Sequence, residues 1–85
     1  MDLYLICYDL RKVRDYQPLW TELARVGAKR GLESNWWLEM PGVSAKALRE
    51  HFKLYIDSDD RLLVLKVSDW AGLRLKAAPS NAAIA

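Results

Sequence analysis

Residues 3–8 read Leu-Tyr-Leu-Ile-Cys-Tyr, six apolar positions in a row that stop at Asp9. A short, uniformly apolar run bounded by polar residues is the pattern of a β-strand covered on both faces, and such a strand belongs in the middle of a sheet. Residues 62–67, Leu-Leu-Val-Leu-Lys-Val, repeat the pattern with Lys66 as the one polar interruption. The two runs therefore predict two central strands.

The segments between them supply the rest of the sheet and its cover. Pro18 suits the first turn of a helix, and Leu19, Trp20, Leu23, Ala24 and Val26 follow a helical period, with Trp20 assigned to the core, until Gly27 ends it as a left-handed cap. Residues 28–32 and 35–40 read as two strands with a turn at Glu33-Ser34, and Pro41-Gly42 closes the pair. Ser44 is placed to cap a second helix in which Leu48, Phe52 and Tyr55 or Ile56 share one face. The polar turn 57–60 leads into the second apolar run.

The order strand, helix, strand, strand, helix, strand predicts an α+β, ferredoxin-like βαββαβ fold, a four-stranded antiparallel sheet with both helices on one face. Residues 1–76 form the single domain. Leu73-Arg74-Leu75-Lys76 alternates and suggests a short extra strand, and residues 77–85, Ala-Ala-Pro-Ser-Asn-Ala-Ala-Ile-Ala, suggest a flexible tail. The sheet face away from the helices then lacks a cover, which predicts a homodimer.

With 85 residues there is room for one modest core, and 52% hydrophobic against 28% charged residues excludes a disordered chain. Thirteen Lys and Arg against eleven Asp and Glu leave a formal charge of +2, so nucleic-acid binding has to be argued from where the charges sit. Cys7 is the only cysteine, which excludes an internal disulfide and a paired-Cys metal motif. No run approaches the roughly 20 apolar residues that cross a bilayer, and nothing at the start resembles a signal peptide; the expectation is a cytoplasmic protein without a membrane partner.

Asp9 stands at the exit of the first strand, where a carboxylate can hold a metal ion or a water, or can simply end the strand. Arg11, Lys12 and Arg14 follow it, and with Lys29 and Arg30 they form a basic group suited to phosphate, or a solvated loop. Trp36 and Trp37 are neighbours on a strand and must point to opposite faces, one into the core and the other, with Trp70, toward a dimer contact or a base. His51 is the only histidine and reads as a surface residue.

Three segments taken together, LICYDL at 5–10, ESNWWLE at 33–39 and IDSDDRLLVLKV at 56–67, resemble the small bacterial SinR-like proteins. These are similar to the second CRISPR-associated protein, the ferredoxin-like partner of the spacer integrase, and more distantly to virulence-associated protein D. The likeness runs from about residue 3 to residue 70. It implies that Asp9 of two subunits binds Mg²⁺ or Mn²⁺ for phosphodiester cleavage of RNA or DNA, with Ser34 orienting a water or a phosphate oxygen. It departs from the family pattern around Ser34, which follows Leu32-Glu33 where a Gln is common. The same group contains members that cut RNA, members that cut DNA and members that only bridge. The implied functions are accordingly a metal-dependent endonuclease or a catalytically inactive nucleic-acid-binding or assembly scaffold, with an integrase or antitoxin as the protein partner.

Overall fold

The computed structural model describes residues 1–10 and 16–79. Within them lie β1 (Asp2–Asp9), α1 (Gln17–Arg25), β2 (Lys29–Leu32), β3 (Asn35–Met40), α2 (Ala45–Phe52) and β4 (Arg61–Val67), with one 3₁₀ turn at Lys53–Tyr55 after α2. The strands form an antiparallel sheet in the order β2-β3-β1-β4. Read from the other edge this is β4-β1-β3-β2, and the α+β, ferredoxin-like architecture follows from it.

Local chemistry sets the element ends. The Tyr16 carbonyl accepts from the Leu19 and Trp20 amides at 3.1 and 3.2 Å, closing the first turn of α1 around Pro18. Gly27 takes φ +87° and donates to the Ala24 carbonyl at 3.0 Å, ending the helix where a side chain would be strained. At α2, the Ser44 hydroxyl accepts from the Ala47 amide at 3.0 Å.

One sheet face carries Tyr4, Ile6 and Tyr8 of β1, Trp36 and Leu38 of β3, and Leu62 and Val64 of β4. These pack against Leu19 and Leu23 of α1 and Leu48 and Phe52 of α2, with Tyr4, Ile6, Leu23 and Phe52 fully buried. The Tyr4 hydroxyl donates to the Val43 carbonyl at 2.6 Å and accepts from the Val43 amide at 2.8 Å, fastening the β3–α2 connection to the central strand.

Two expectations are corrected. β4 is an edge strand, and β3 takes the second central place beside β1. The run 62–67 is apolar on both faces, yet Leu63 and Leu65 remain 58% and 40% exposed, because they point away from the helices and nothing described lies over them. The second correction concerns the C-terminal segment. Residues 73–76 form no strand, and instead the chain from Trp70 to Pro79 crosses the sheet face opposite the helices. Trp70 packs on Trp37 with ring centroids 5.2 Å apart, and the Lys76 amide donates to the Gly31 carbonyl at 2.8 Å. The chain therefore covers the β2–β3 half of that face itself and reaches Leu5 of β1, while Leu63 and Leu65 of β4 stay exposed. Of the expected tail, Ala77 and Ala78 are half-buried and Pro79 is buried.

Gly31 is required by close approach. It sits at a register shift between β2 and β3, and a Cβ there would stand 2.6 Å from Nε1 of Trp37. No described helix is long and apolar enough to cross a membrane.

Candidate nucleic-acid interface

β1 and β2 both run antiparallel to β3, which lies between them, so the exit of β1, the Glu33-Ser34 turn and the start of β4 share one end of the sheet. The Tyr8 amide donates to the Ser34 carbonyl at 3.1 Å, and Asp9 stands opposite Arg61. Asp9 and Arg61 are thereby neighbours in space, and Ser34 flanks Tyr8 on the other side of β1.

The side chain of Asp9 is 61% exposed and faces Nη1 of Arg61 at 3.9 Å. It lines an open groove of about 210 Å³ with Cys7, Tyr8, Arg61, Leu62 and Leu63. Burial raises the pKa of the Cys7 thiol, which keeps it a neutral, half-buried apolar group in that groove.

Tyr8 organises the other side of this end. Its hydroxyl accepts the indole N–H of Trp20 at 3.0 Å and that of Trp36 at 3.1 Å, and donates to the Glu33 carbonyl at 3.3 Å. Arg30 reaches the same carbonyl, with Nε at 3.0 Å and Nη2 at 2.6 Å. Its guanidinium lies 5.1 Å from the ring centroid of Trp20 and 5.8 Å from that of Trp36, within cation–π range of both.

The expected basic group divides. Arg30 stands at the end just described but on the helix face with Trp36, whereas Asp9, next to Tyr8 and opposite Arg61, lies on the other face. Lys29, one residue earlier, pairs in register with Trp37 and takes the opposite face. Arg11, Lys12 and Arg14 lie outside the described residues. The tryptophans separate as adjacent strand residues must: Trp36 packs on the helix side, and Trp37 on the other side beneath Trp70. Both indoles are buried within their own chain, 9% and 8% exposed.

A second polar cluster joins the two helices. Glu22 of α1 is 5% exposed; it accepts from Nε and Nη2 of Arg25, each at 2.7 Å, and lies 2.5 Å from Nε2 of His51 on α2. The Arg25 hydrogen bonds, and after them the His51 contact, hold the Glu22 carboxyl down to about 2. His51, read from sequence as a surface residue, is thus a helix-to-helix contact.

For a divalent ion the fit is partial. Among the described residues no three His, Cys, Asp or Glu side chains gather in one place, and Asp9 contributes a single carboxylate at this end. A hard cation needs several oxygen donors, so a site at Asp9 requires donors from a second copy or from the phosphate itself.

None of the known protein-family models matches the chain. The residues that sequence reading missed here are Tyr8 as a hydrogen-bond hub, Arg61 as the neighbour of Asp9, and Trp20. Tyr8 adjoins Asp9 in the sequence, but its partners become visible only once the register of three strands is known.

Proposed function

We propose that this chain is a homodimeric nucleic-acid-handling protein in which Asp9 of two subunits binds Mg²⁺ or Mn²⁺ and promotes cleavage of an RNA or DNA phosphodiester. The observation that carries the reading is the placement of an exposed carboxylate at the exit of a central strand, paired with Arg61, with the Ser34 turn and, on the helix face, the fixed guanidinium of Arg30 at the same end of the sheet. A bound divalent ion would acidify a water and offset charge on the phosphate. The chain's own residues supply the rest: Asp9 the oxygen donor, Arg61 a cationic contact on its face, Arg30 a second cationic contact around the end of the sheet, and Ser34 a hydroxyl on the adjoining turn.

The test incubates purified protein with labelled RNA and DNA, with and without each ion, beside Asp9→Ala. Cleavage that needs the ion and is lost in the variant supports the reading. One observation favours a non-catalytic scaffold instead, the Arg61–Asp9 pair itself, which gives Asp9 a structural use at the β1–β4 end. Under the scaffold reading both proteins bind nucleic acid equally and neither cleaves.

A further inference from the structure

Tyr16, Trp20, Arg30 and Trp36 form one continuous ladder. Tyr16 meets Trp20 edge-on with ring centroids 6.1 Å apart, and Arg30 lies between Trp20 and Trp36. Trp36 is the buried rung, while Tyr16, Trp20 and Arg30 are part-exposed.

Each rung is held by something besides stacking. Both indole N–H groups are fixed on Tyr8, Nε and Nη2 of Arg30 on the Glu33 carbonyl, and the Tyr16 backbone on the first turn of α1. The guanidinium is anchored through one edge, and among the described residues its Nη1 makes no hydrogen bond. Among the described residues the carboxylate paired with it is Glu33, which is 81% exposed and shared with Nζ of Lys76 at 3.3 Å. A cation fixed between aromatic rings, beside further rings that reach the surface, matches how single-stranded nucleic acid is gripped: bases stack on rings, and arginine takes the phosphate. A duplex cannot use it, because base faces there are covered by their neighbours and only edges are offered.

We propose that Tyr16 and Trp20 receive an unpaired nucleobase while Arg30 holds an adjoining phosphate, so that the substrate class is single-stranded RNA or DNA. The proposal rests on the nucleic-acid reading above and adds which form of nucleic acid is chosen and by which residues.

The experiment measures fluorescence anisotropy of three labelled probes: a twelve-nucleotide oligothymidylate, the same backbone with abasic spacers, and a twelve-base-pair duplex. The key variant is Tyr16→Ser, which removes the ring while placing a favoured capping residue at the start of α1. Trp20→Phe keeps a ring and Trp20→Leu removes it. The expected result is that the oligothymidylate binds about tenfold or more tightly than the abasic probe, that Tyr16→Ser and Trp20→Leu remove that preference, and that Trp20→Phe retains part of it. Equal binding of the base-bearing and abasic probes, or a preference that survives Tyr16→Ser, overturns the ladder as a base site and leaves nucleic-acid binding standing. Failure of every probe to bind overturns both.

Discussion

The hydroxyl of Tyr8 accepts the indole N–H of Trp36 at 3.1 Å across a diagonal of the β1–β3 ladder, where the residue directly opposite Trp36 is Ile6. The same oxygen accepts from Trp20 of α1, so one phenol ties two strands and a helix at the end of the sheet that holds Asp9. Tyr8→Phe keeps the ring and leaves two indole donors without their acceptor. The expected cost is about 1 to 3 kcal/mol in urea unfolding. A loss below about 0.5 kcal/mol would mean that the hub contributes no more than an exposed hydrogen bond.

The strand order gives a second prediction. Ile6 is fully buried on central β1, and Leu65 is 40% exposed on edge β4. Ile6→Ala should destabilise by about 2 to 5 kcal/mol, and Leu65→Ala by well under half of whatever Ile6→Ala costs. Equal costs would put β4 back in the interior of a sheet.

Gly31→Ala should destabilise by about 1 to 3 kcal/mol, since the added methyl meets the Trp37 indole at 2.6 Å. Tryptophan emission should shift to the red as Trp37 lifts toward solvent with Trp70. Pairing the change with Trp37→Leu should recover part of the loss attributable to the clash. A Gly31→Ala protein as stable as the parent would refute the close approach.

A fourth expectation concerns acid. Glu22 has its carboxyl held at about 2, below the ordinary 4.5, by Arg25 and His51. A carboxylate whose folded pKa is depressed stabilises the fold fully above the unfolded value, and the contribution disappears as pH falls from about 4.5 toward about 2. Unfolding midpoints measured across that window should drop more steeply for the parent than for Glu22→Gln, which has no charge to lose there. Parallel curves would show that the cluster does not couple to folding.

The fold was legible because its signals are local. Pro18, Gly27, Ser44 and the run 3–8 each report on their own few residues, and together they fix the order of elements. The place of β4 was not legible, since Leu62 to Val67 is apolar on both faces whether or not both faces are covered. Trp37 likewise gives no sign that Trp70, far along the chain, lies against it. At the candidate site, Asp9 and Ser34 were visible by type and position. The pairing of Asp9 with Arg61 and the capture of Arg30 between two indoles depend on strand register, including the shift at Gly31, and composition carries no trace of register.

The roof that Trp70 to Pro79 lays over β2 and β3 also bears on how the molecule comes into being at the ribosome. β1 emerges well before its neighbour β4 and the roofing segment, so Leu3 waits for Val67, and Gly31 for Lys76. Until then the β2–β3 hairpin and the helices can form locally, while one side of the nascent sheet stays greasy and open. Completion of this domain therefore waits for residues 61–79, and the interval before they arrive is when a chaperone, or an unwanted neighbour, would find the chain.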